Sequence, residues 1–142
     1  MRSYCTRELN YEHAITRYVQ ALGLIAEISA ADEEKFKAQL DEIWLSCNLN
    51  LALCYINVKK PKLAIENCSS VIRKYPDNAK AFFRRAQAKL DIGEDEESKA
   101  DLEAALRIVP SDAAIKKWLK KVELIIKKRQ DKEKKMYQKM FN

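Results

Sequence analysis

Glycine is almost missing from this chain: 142 residues hold two, beside three prolines. Helix breakers are therefore scarce, and the abundant Ala, Leu, Lys, Glu and Arg point to an all-helical protein. Histidine occurs once, as His13, so clustered zinc ligands are not expected. The four cysteines, Cys5, Cys47, Cys54 and Cys68, lack CxxC spacing and read as small buried hydrophobes that stay reduced. Uncharged apolar runs fall far short of a bilayer span, which argues against a transmembrane segment. Met1-Arg2-Ser3-Tyr4 carries no apolar signal core. A cytoplasmic setting, with the nucleus as a second compartment, is expected. No nucleophile–base pair, metal cluster or glycine-rich phosphate loop appears, so neither catalysis nor a cofactor is expected.

The net charge is +6, and its location matters more than its size. Positions 111–142 hold 11 Lys/Arg against 4 Asp/Glu, so the remainder is close to neutral. A protein that docks on duplex nucleic acid spreads its cations over the folded face. Here they sit in a tail, and nucleic acid is not the expected partner.

Pro76 and Pro110 stand 34 residues apart, and the register holds upstream of them. Leu51 aligns with Arg85, Ala52 with Ala86, Ala64 with Ser98, Cys68 with Leu102 and Val71 with Ala105. A small residue in each first helix and another early in each second let paired helices approach closely. That period and pattern are the tetratricopeptide signature, a helix–turn–helix unit that stacks on copies of itself. Ala14, Tyr18 and Ala21 repeat the four-then-three spacing of Ala64, Cys68 and Val71, but 50 residues earlier, with an acidic, alanine-rich surplus around positions 30–39. The expected fold is all-α: three such repeats in a right-handed superhelix over 1–110, the first N-terminally incomplete, and a long capping helix over 111–142. About seven helices follow, at 3–8, 12–28, 33–58, 62–74, 79–92, 96–108 and 113–140. Pro61 suits a first helical turn, Gly93 a stop, and Asn78 and Ser111 suit N-caps.

In the last helix Ile115, Trp118, Leu119, Val122, Ile125 and Ile126 form a stripe backed by lysine, as a terminal cap requires. Beyond Lys127 the pattern thins to a solvated helix, and Met136, Tyr137, Met140 and Phe141 restore an apolar face at its tip. Trp118, Leu119, Met136 and Phe141 are the candidate contacts of a second mode, in which this basic amphipathic helix meets calmodulin or a membrane surface.

The main candidate site opens the helix after Tyr75-Pro76-Asp77. Lys80 and Arg84 lie four apart on one face, where like charges oppose each other and give the fold nothing. They suit carboxylates instead, a point charge beside a planar fork. Asn50 stands 34 residues before Arg84, at the equivalent place on the neighbouring first helix. An amide and two cations should therefore meet in the concave groove and receive a peptide's C-terminal carboxylate or acidic side chains.

Asn50-Leu51-Ala52-Leu53-Cys54-Tyr55, Lys80-Ala81-Phe82-Phe83-Arg84-Arg85 and Met136-Tyr137-Gln138-Lys139-Met140-Phe141 together resemble the C-terminal tetratricopeptide (TPR) domain of FKBP-type immunophilins. Cys68-Ser69-Ser70, Lys74-Tyr75 and Asp77-Asn78 look like the aryl-hydrocarbon-receptor-interacting protein branch. The resemblance implies a non-catalytic co-chaperone domain that binds the Glu-Glu-Val-Asp tail of heat-shock protein 90 or 70. It assigns Asn50, Lys80 and Arg84 to three of five carboxylate-clamp positions and places a fourth, an Asn in the family, on Ser3. The fifth, a Lys, would precede Met1. Any isomerase domain lies outside these residues, and other protein clients are the remaining alternative.

Overall fold

The computed structural model describes the backbone of residues 2–31 and 36–141 and the side chains of 10–28 and 36–141. Among these residues it holds six helices: α1 (Arg2–Ala31), α2 (Lys37–Asn57), α3 (Pro61–Lys74), α4 (Ala79–Asp91), α5 (Asp95–Ile108) and α6 (Ala113–Phe141). Each packs on the next in the chain, and α2 also meets α4, so the first helices of the two 34-residue units lie side by side. The helices expected at 3–8 and 12–28 are one continuous α1. Glu8-Leu9-Asn10-Tyr11 contains neither glycine nor proline. Continuing a helix gains one hydrogen bond per residue, whereas a new start must be nucleated again.

The repeat register reappears as burial. Ala52 and Ala86, Ala64 and Ser98, Cys68 and Leu102, Val71 and Ala105 are all buried. Ala52, Ala64, Cys68 and Ala88 form one dry cluster where α2, α3 and α4 cross, and side chains of this size let the backbones approach. Leu49, Val71 and Ala81 make a second cluster under Trp44 and Tyr75. The third joins three helices: Ala86 of α4, Leu102 and Ala105 of α5, and Ile115 and Val122 of α6. Burial pushes the Cys68 thiol up to about 12, so it remains protonated at neutral pH.

The helix ends follow local chemistry. Asn78 caps α4, its Oδ1 accepting from the Ala81 N–H at 2.9 Å. At α6 the cap is Asp112 rather than Ser111, because it is the Asp112 Oδ1 that accepts from the Ile115 N–H, at 3.0 Å. Pro61 occupies the first turn of α3. Gly93 ends the α4 turn with φ 80°, and 34 residues earlier Lys59 takes the same left-handed place with φ 63°. A lysine there is strained where glycine is free. Lys59→Gly should therefore raise stability by about 1 kcal/mol, the penalty that L-residues carry in this region, checked by urea denaturation.

Candidate functional site

The α2–α4 contact builds the site. Arg84, half-buried on α4, sends Nη1 across to the backbone carbonyl of Leu49 on α2. That contact places its guanidinium beside the backbone of Asn50. Asn50 and Lys80 are both exposed, and among the described residues neither side chain has a hydrogen bond or ion pair. Arg84 likewise has no carboxylate partner among them. Burial pushes its guanidinium below the ordinary arginine value, with the nearby Cys68 and Cys54 thiols acting in the opposite sense. The Leu49 carbonyl is one internal partner that the sequence did not foresee.

Arg85, the next residue, has the opposite fate. Its Nε and Nη2 reach both oxygens of Asp101 at 2.8 and 2.7 Å, and Nη1 donates to the Ser69 hydroxyl at 3.2 Å. Lys89 joins the same carboxylate at 3.0 Å. Two Lys/Arg pairs of i,i+4 spacing therefore share α4. Arg85 and Lys89 are absorbed by a buried acid, while Lys80 and Arg84 have no acid paired to them among the described residues. The sequence carried a signal for this: the register sets Arg85 opposite buried Leu51, and a charge in such a place needs a counter-ion.

Beside Lys80 lies a depression of about 250 Å³, lined by Ala79, Lys80, Phe83, Asp112, Ala114 and Ile115. Asp112 is an acid that lines the same depression as Lys80. No ion pair joins the two among the described residues, and the Asp112 Oδ1 is engaged as a cap. Phe83 meets Trp118 edge-on, centroids 6.1 Å apart. Trp118 and Leu119, named both for the capping stripe and for the partner contacts of the last helix, pack against the core as the cap requires. Met136, Tyr137, Met140 and Phe141 are 58 to 79% exposed and do form a free tip. Arg129 ties the base of that tip to the start of α5, pairing with Asp95 at 2.9 Å and also with Glu96. Ser3 lies in α1, outside the residues whose side chains are described.

No family model matches the chain. The peptidyl-prolyl cis-trans isomerase FKBP4 of Bos taurus is 34% identical over 136 residues, covering 95% of this chain and 29% of that protein. The C-terminal TPR-containing domain of a Plasmodium falciparum FK506-binding protein superposes with a TM-score of 0.78 at 26% identity, covering 91% of this chain and 85% of that one. The second TPR domain of human RPAP3, solved in complex with the HSP70 peptide SGPTIEEVD, gives 0.62 at 26% identity, with 83% and 85% covered. The fold and its stacked units are those of a tetratricopeptide-repeat domain. The chain belongs with the C-terminal TPR domains of FKBP4-type immunophilins. It spans less than a third of the FKBP4 it matches, at 29%. These likenesses say nothing for the aryl-hydrocarbon-receptor-interacting protein branch.

Proposed function

We propose that this chain is a non-catalytic docking module whose groove receives an acidic C-terminal peptide of the Glu-Glu-Val-Asp kind, as carried by heat-shock proteins 90 and 70. Asn50, Lys80 and Arg84 receive the carboxylates, and Ser3 stands where the family has a fourth contact. The observation that carries this reading is the contrast between adjacent arginines. Arg85 is neutralised by Asp101, whereas half-buried Arg84 has no anion among the described residues. A carboxylate arriving from outside supplies the missing charge, and each charge-assisted bond contributes roughly 1.5–3 kcal/mol. The complex of the similar RPAP3 domain with a peptide ending in EEVD supports the same ligand class. Catalysis is assigned elsewhere: any isomerase domain lies outside these residues, and a cytoplasmic co-chaperone role follows from the reading.

Calorimetric titration of a Met-Glu-Glu-Val-Asp peptide into the full chain tests it. Binding should weaken about tenfold in Lys80→Ala, the size of one exposed charge-assisted contact, and fall as salt rises. Amidating the peptide's C-terminus should weaken it as well. No binding by the parent, or equal binding by the variant, would sink the reading. The exposed tip at Met136 and Phe141 is where the alternative partners, calmodulin or a membrane surface, would act.

A further inference from the structure

A second depression, of about 290 Å³, opens where the α2–α3 turn meets the end of α4. Pro61, Leu63 and Ile92 supply its apolar lining, and Lys59, Lys60 and Lys62 complete it. The three lysines are exposed, and none of their ammonium groups has a hydrogen bond or ion pair among the described residues. No acidic residue is among those lining the depression. These cations give the fold nothing. Lys62 sits in the first turn of α3, the end where a helix least favours positive charge, and that turn holds no acid. Lys59 is held in the left-handed region, in the place the next unit gives to Gly93. A strained residue, three unpaired charges and a half-exposed Leu63 at one spot are unfavourable for an isolated chain.

We propose that this edge is a second docking site, separate from the groove, for an acidic protein segment that inserts one bulky apolar side chain. The volume decides between a small molecule and a protein segment. Sites that enclose a whole ligand run from roughly 300 to 1,000 Å³, and this open depression falls at the bottom of that range. It accepts a leucine or phenylalanine side chain, while the surrounding lysines meet flanking carboxylates. The charge that faces such a segment is that of Lys59, Lys60 and Lys62, which line the depression, whereas Asp91 and Glu94 flank Ile92 along the chain and do not line it. Such a segment needs no free C-terminus, which sets its chemistry apart from the groove ligand.

The test uses the full chain, labelled for NMR, and the capped peptide Asp-Glu-Leu-Phe-Glu-Asp. Amide shifts should concentrate at positions 59–63 and 92. Binding should weaken about tenfold when Leu-Phe is replaced by Ser-Ser, and by a similar factor in a Lys60→Glu, Lys62→Glu double variant. Both positions are exposed, so the fold should survive, as circular dichroism would verify. Lys59→Gly should raise the urea midpoint and weaken this peptide together, the signature of strain kept for binding. Lys80→Ala should leave it untouched. No shifts at millimolar peptide, shifts confined to the α2–α4 groove, or equal binding of the Ser-Ser peptide would overturn the proposal. Phosphatidylserine vesicles that shift residues 59–63 when the peptide does not would assign the edge to lipid, and would overturn it too.

Discussion

Asp101→Ala should cost about 3–5 kcal/mol of folding stability, because it removes one member of a buried ion network and leaves the others charged. Asp101 is 4% exposed and answers two cations, Arg85 through both oxygens and Lys89 at 3.0 Å. Without it two desolvated like charges stand one turn apart on α4 with no counter-ion from α5. A domain of this size is stable by about 5–15 kcal/mol, so the loss is a third of the total or more. Asp101→Asn should lose less, since an amide keeps the shape and one acceptor. The preceding unit carries Leu51 and Asn67 at the equivalent positions, where the Asn67 amide donates to the Asn48 side chain at 3.0 Å. Copying that unit with Arg85→Leu and Asp101→Asn should therefore recover most of the loss. Urea denaturation of the four proteins decides it. A single-variant cost below about 1 kcal/mol would mean the network is solvated and behaves as a surface pair.

Arg84→Ala should separate binding from folding. Its half-buried guanidinium carries a charge whose desolvation no described carboxylate relieves. Removing it should leave the urea midpoint unchanged or slightly raised, and should weaken the Met-Glu-Glu-Val-Asp peptide about 100-fold, near the upper end of a charge-assisted contact. The Leu49 carbonyl loses only an extra donor. Arg84→Lys should recover less than half of the loss in free energy. An ammonium restores the charge, yet it cannot hold the Leu49 carbonyl and a carboxylate with one planar fork. Peptide titration beside urea denaturation reads both quantities. A large drop in stability would make Arg84 a structural residue and leave the groove without its main cation.

The period of 34 residues was legible because burial enforces it: Ala64, Cys68 and Val71 cannot change size freely where three helices cross. Four of the six helices, α3 to α6, start within a residue of their expected positions, since Pro61, Asn78, Gly93 and Asp112 act within one turn. The first helix was misjudged for the converse reason. No breaker separates residues 8 and 12, and a resemblance between spacings does not bend a backbone. On α4 the sequence offered two basic pairs of identical spacing. The register aligns Arg85 with Leu51 and so hints at burial, but only packing against α5 reveals the partner, because Asp101 is 16 residues from Arg85 and finds it through the helix pair. The Arg84–Leu49 bond was equally invisible, as a backbone acceptor has no letter in the sequence. Charge at 94–97 was visible, but its partner Arg129 lies a whole helix away.

The cluster that joins Ala86, Leu102, Ala105, Ile115 and Val122 has a further consequence for how this architecture can be cut. Repeat arrays invite the idea of interchangeable modules, trimmed or transplanted at each boundary. Here the boundary at Pro110 is no seam: the last helix supplies two of the five buried side chains that the final pair needs. It also forms one wall of the hollow beside Lys80, through Ala114 and Ile115. Excising it would strip the neighbouring pair of its roof and reshape the mouth of the trough in one stroke.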